Sequence, residues 1–188
     1  MSMLEKVVAA VTPAESGTDR LEARAKARAS AKPGDWLSLV LDHHTRIEDA
    51  FAAVRGAPAA AARLTALKAL GLILTGHSNA EESVIYPALA RSGHKSHATA
   101  GYEEQAQAKV DMSELENLDP AEPEFLDKLD HIRSAVVHHM YEEEHDRFLD
   151  LKSLPVGEQE QLTRRYKEEF ERYMGNEAAA KAKFGGLS

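Results

Sequence analysis

Two stretches of this chain repeat one pattern. His77 is followed by Glu81 and Glu82 and then by Tyr86; His139 is followed by Glu143 and Glu144 and then by Phe148. On a helix, residues four apart lie on one face about one turn apart. Each stretch therefore presents an imidazole and a carboxylate together, and it does so on the stripe that also carries the apolar residues of its segment. A carboxylate on such a stripe costs several kcal/mol, on the order of the penalty for any unpaired buried charge, unless something compensates it. Two such helices facing each other bring four ligand atoms to one interior point, the way helical proteins build metal sites. This pattern points to a pair of metal ions. Imidazole with carboxylate suits iron, manganese or zinc.

The rest of the sequence is that of a helical protein. Hydrophobic residues make up 43% of the 188 and are dominated by Ala and Leu, while runs of Val, Ile and Thr are nearly absent. No apolar run approaches the roughly 18 residues of a membrane span. The start of the chain is too polar and short for a signal peptide. With no cysteine, disulfides, thiolate metal sites and cysteine nucleophiles are excluded. The expected location is cytoplasmic. A formal charge of −8 argues against nucleic-acid binding.

Residues 1–12 carry Leu4, Val7, Val8 and Val11 on one potential helix face, and residues 19–32 read as an exposed helix or arm. Pro33-Gly34-Asp35 opens the main domain, with Asp35 as the helix N-cap. A first helix spans 36–55, with His44 on the stripe of Leu37, Val40, Ile47 and Phe51; His43 falls off that stripe. A second begins near Pro58 and runs to about 91, with His77 and Glu81 inward. A third spans about 96–118, and a fourth runs from Asp119-Pro120 to about 153, with His139 and Glu143 inward. A last helix, 158–174, docks outside. The expected fold is all-α: an antiparallel up-down four-helix bundle over 35–153, an N-terminal helical extension over 1–34 and a C-terminal helix and tail over 154–188.

Three pieces, Asp42-His43-His44, His77 to Glu82 with Tyr86-Pro87, and His138-His139 to Glu144, make the chain resemble hemerythrin-like proteins with the HHE cation-binding domain. The resemblance covers about 35–153. It implies a non-haem di-iron centre bridged by carboxylates, with His44, His77 and His139 as ligands and Glu81 and Glu143 as bridges. The chain departs from the family on the third helix. Where oxygen carriers place a His-x-x-x-His pair, it has Gly101 and Gln105, beside Glu104. The sequence offers Glu104 as an anionic substitute ligand, which favours Fe(III) by charge. Tyr102, near this gap, reads as a packing aromatic, and His97 as an outer partner.

Two functions compete. One is a protein that binds or senses O2, nitric oxide or peroxide at two iron ions; the other is a di-iron oxidase or peroxidase, or an iron-donating repair protein. Other classes fit less well. A ferritin-type site needs paired Glu-x-x-His, and only Glu142-x-x-His145 has that spacing. A zinc hydrolase would show His-Glu-x-x-His, which is absent. A metal-free bundle would need Glu81 and Glu143 to face solvent. The oligomeric state is not encoded in any motif.

Overall fold

A computed structural model describes residues 15–184, with side chains described to residue 175. Among the described residues every regular element is helical, and no helix is long and apolar enough to cross a membrane. The apolar segment 1–12 lies outside the described residues.

The helices are α1 (Gly17–Ser30), α2 (Trp36–Gly56), α3 (Ala60–Ala80), α4 (Tyr86–Arg91), α5 (Lys95–Glu116), α6 (Pro123–Glu142) and α7 (Val156–Phe184). Their boundaries follow local chemistry. Ser16 and Asp19 form a reciprocal capping box at the start of α1. Asp35 caps α2 by accepting from the Ser38 N–H at 2.8 Å. The α4–α5 turn passes through Gly93 at φ +99°, a left-handed conformation that favours glycine. Pro58 precedes the helix it was expected to open, because α3 begins only at Ala60.

Two expected helices are not continuous α-helices. Between α3 and α4 lies a π turn, Glu81–Ile85; after α6 lies a second, Glu143–Arg147, followed by a 3-10 turn, Leu149–Ser153. Each π turn starts at the Glu of the repeated motif. Each closes with an i→i+5 bond, from the Tyr86 N–H to Glu81 C=O and from the Phe148 N–H to Glu143 C=O. The wider turn lets the aromatic five residues after the Glu return to the face the Glu occupies, which in an α-helix falls to i+3 and i+4. Tyr86 and Phe148 are consequently almost fully buried. The sequence repeat is thus also a backbone repeat.

The helix ends pack α2 against α3 and α6, α5 against α4 and α6, and α7 across α2, α3 and the first π turn. Two apolar clusters result. One gathers Trp36, Leu37, Leu41, Leu89, Phe148 and Tyr166. The other gathers Ile47, Phe51, Leu70, Leu115, Phe125 and Ile132. Along α2 the first cluster ends at Leu41 and the second begins at Ile47, so His44 falls between them.

The segment 19–32 is not a loose arm. Its helix buries Ala23 and Ala27 and packs on the second π turn and on α2. His43 is also buried, because α7 covers the outer side of α2: its ring stacks on Phe170 with centroids 3.8 Å apart.

Two glycines provide opposite tests of this packing. A Cβ at Gly101 would lie 2.7 Å from Tyr86 Cζ, whereas one at Gly71, inside α3, meets nothing within 4 Å. Gly101→Ala should lower stability by about 1–3 kcal/mol through overpacking. Gly71→Ala should raise it by about 0.5–1 kcal/mol through helix propensity. Urea unfolding followed by circular dichroism measures both.

Candidate metal centre

Between the two apolar clusters lies a polar layer. His44, His77, Glu81 and Glu143 each offer a ligand atom, and these atoms all lie within 4.8 Å of one another. All four residues are buried, both glutamates completely. His77 Nε2 stands 3.1 Å from Glu81 Oε2, and His44 Nε2 stands 3.4 Å from Glu143 Oε2 and 4.0 Å from Glu81 Oε1. Yet His44 Nε2, His77 Nε2, Glu81 Oε1 and Glu143 Oε2 have no hydrogen-bond partner. Buried polar atoms are nearly always paired. Four orphans from four residues, all facing one point, fit a cation, and the mixed nitrogen and oxygen donor set suits iron, manganese or zinc.

His139 adjoins this group. Its Nε2 lies 3.4 Å from Glu143 Oε1 and 3.3 Å from the Tyr86 hydroxyl. Glu104 does not join the convergence. Its Oε2 meets His139 Nδ1 at 2.6 Å, and Arg147 grips both carboxylate oxygens at 2.7 and 3.0 Å. It stands behind a histidine instead of beside the ligand atoms, because Arg147, delivered by the second π turn, holds it there. Its carboxyl lies at about 2: burial alone would raise it, but hydrogen bonds from His139 and Arg147 lower it further.

A shared pattern orients the three histidines. Each points Nε2 inward and rests Nδ1 on a partner: His44 on Glu144 at 2.7 Å, His77 on the Tyr166 hydroxyl at 3.2 Å, His139 on Glu104. Such partners fix the tautomer that leaves Nε2 free for a metal. Glu144 is held in turn by Arg24 of α1, with both oxygens 3.0 Å from Nε. Tyr166 also meets His43 Nδ1 at 2.9 Å. Burial, then the charges of Arg46 and His44, push His43 down to about 3, so it stays neutral beside the phenol.

The gap left by Gly101 and Gln105 is filled. The Tyr86 ring occupies the space beside Gly101, and its hydroxyl donates to Glu143 Oε1 at 2.9 Å. Gln105 Nε2 donates to Glu81 Oε2 and to the Tyr86 oxygen, each at 2.7 Å, while its carbonyl accepts from Ser78 at 2.7 Å. Tyr102 sits edge-on against Tyr86 and donates to the Glu82 carbonyl, outside the centre. His97 pairs with Asp150 elsewhere. Residues that sequence reasoning did not assign to the centre are Tyr86, Ser78, Glu144, Arg147, Arg24 and Tyr166. Only the aromatic five residues after each Glu gave a sequence signal.

The chain belongs to the hemerythrin HHE cation binding domain family, whose model matches residues 37–149. Its fold resembles the crystal structure of a hemerythrin HHE cation binding domain-containing protein from Mycobacterium kansasii. The TM-score is 0.69 at 22% identity, over 81% of this chain and 94% of that one. A DNA nickase from Nostoc sp. (strain PCC 7120) is 29% identical over 86 residues; these are 46% of this chain but only 24% of the nickase.

Without a cation the centre must compensate itself with protons. Burial and then the Glu143 charge raise Glu81 well above its ordinary value. Burial opposes a charge on His44, but the hydrogen bond to Glu144 and the nearby carboxylate charges of Glu144 and Glu143 outweigh it and raise His44 to about 8. A raised histidine stabilises the fold fully below its unfolded value of about 6.5, and that contribution fades as pH rises through about 8. Metal uptake needs neutral His44 and ionised Glu81, so at pH 7 it should release at least about one proton per chain. Calorimetric metal titrations in buffers of different ionisation enthalpy count it, and affinity should fall on acidification. Tyr166→Phe, which removes the oxygen behind His77, should weaken metal binding about 10–100-fold while leaving the helical circular dichroism intact.

Proposed function

We propose that this chain is a non-haem dinuclear metal protein. In this reading an antiparallel four-helix bundle, formed over 35–153 by α2, α3 with α4, α5 and α6, holds two iron ions that bind or sense O2, nitric oxide or peroxide. His44, His77 and His139 would supply imidazole nitrogens, and Glu81 and Glu143 carboxylate oxygens. Helices α1 and α7 brace the bundle. The observation that carries this reading is the set of four orphaned buried atoms facing one point. Manganese and zinc suit the same donors.

Iron in such a donor set supplies one-electron chemistry and an electrophilic position for a small ligand. The chain's own residues fix where that position lies. Gln105 and the Tyr86 hydroxyl hold one oxygen of each of these glutamates. Apolar clusters on both sides lower the local dielectric, so these contacts are stronger than in water. Glu104, committed to His139 and Arg147, tunes an imidazole instead of entering the coordination itself.

A second reading, a peroxidase- or oxidase-type enzyme, is favoured by one observation. A cavity of about 1020 Å³ opens between α3, α5 and α6. Leu72, Leu74, Ala108 and Met112 line it, and it reaches His77, Ser78, Gln105 and His139. It offers room for an organic electron donor beside the centre.

Elemental analysis of chain expressed with iron and manganese both available should find about two iron atoms per chain, lost in His77→Ala and Glu143→Ala. Finding no metal in the parent, with both variants folding as well, would overturn the dinuclear reading. The reduced, iron-loaded protein should change its visible spectrum on exposure to O2, nitric oxide or hydrogen peroxide; silence toward all three excludes a sensor. Steady peroxide turnover with an organic donor, slowed in His77→Ala, would instead establish the enzyme.

A further inference from the structure

A second cluster of ligating side chains lies away from the buried centre and has no part in it. His94 Nδ1 and His97 Nδ1 both approach the same atom, Asp150 Oδ2, at 2.9 and 3.1 Å. We propose that His94, His97 and Asp150 form a peripheral site for a single divalent transition-metal ion of the zinc type.

The donor spacing matches a coordination polyhedron. Metal–ligand bonds of about 2.0–2.1 Å place neighbouring donors about 2.9–3.3 Å apart, the lower figure for octahedral and the upper for tetrahedral geometry. Both histidines stand at hydrogen-bond distance from Asp150, and all three donor atoms lie within 4.8 Å of one another, so an ion could replace the bridging protons with a modest shift of the side chains. Two imidazoles and one carboxylate leave further positions to water, a ligand set that zinc and other first-row ions accept.

The backbone holds the three donors in place. The left-handed turn at Gly93 delivers His94 to the start of α5, where its N–H donates to the Leu89 carbonyl at 2.9 Å and its carbonyl accepts from the Ala98 N–H at 3.2 Å. His97 follows three residues later on the same face, and the two ring centroids lie 5.7 Å apart with their planes inclined by 27°. Asp150 comes from the 3-10 turn that follows the second π turn, its carbonyl capped by the Ser153 hydroxyl at 3.1 Å. The side chains are 37%, 34% and 28% exposed, open enough for an ion to enter from solvent. An ion here would cross-link the first turn of α5 to the 3-10 turn, alongside the Arg147–Glu104 ion pair that joins α5 to the second π turn.

The test is a zinc titration in competition with a chromophoric chelator, run on the iron-loaded parent, Asp150→Asn and His97→Ala and on His77→Ala as purified, with folding checked by circular dichroism. The parent should take up one zinc ion more than Asp150→Asn and His97→Ala, or hold it at least about tenfold more tightly. His77→Ala should retain this uptake, because it alters only the buried centre. Zinc should raise the melting temperature of the parent and not of His97→Ala. Equal zinc uptake and affinity in the parent and Asp150→Asn, or a loss confined to His97→Ala, would overturn the three-donor site. Because the comparison is between parent and peripheral variants, it reads the same whether or not the buried centre holds iron.

Discussion

Glu81 and Glu143 face each other inside the protein with no solvent contact. Two ionised carboxylates in that position repel and lack hydration, so the surroundings must neutralise them. The three inward imidazoles, the Tyr86 hydroxyl and the Gln105 amide are arranged around that need. So is the next layer outward: Glu144, Glu104 and Tyr166 each receive the far nitrogen of one histidine, and Arg24 and Arg147 balance the two outer carboxylates. Carboxylate, imidazole, carboxylate and guanidinium alternate outward along the His44–Glu144–Arg24 and His139–Glu104–Arg147 lines.

This alternation explains why distant parts of the chain meet there. Arg24 and Glu144 are 120 positions apart, and Tyr166 is 89 positions from His77. The helices beyond the family match at either end therefore do more than cover the body. One supplies a cation to Glu144 and the other a phenol to His77. The two π turns serve the same layer, since each presents its glutamate inward and still returns an aromatic to the core five residues later.

Local pattern made much of this legible in the sequence. The Asp35 cap, the stripes of the long helices and the inward positions of His44, His77, Glu81, His139 and Glu143 follow from periodicity and from the cost of an unpaired carboxylate on an apolar face. What stayed hidden depended on contacts that periodicity does not contain. His43 falls off the α2 stripe, yet α7 buries it. Glu104 stands where a ligand was expected, but an arginine repositioned by a π turn claims it. Gly101 looks like a missing ligand in sequence; in space it is the room that Tyr86 needs.

Gly76 extends that lesson. A Cβ there would meet Phe170, Tyr173 and Met174 at 3.3–3.4 Å, so its bare backbone sets how closely α7 approaches α3. That approach distance also sets the reach of Tyr166, one turn earlier on α7, to His77. The electronic character of an interior imidazole is thus governed by a missing methyl group on the outer wall, and a change with no chemistry of its own would be felt as chemistry at the centre.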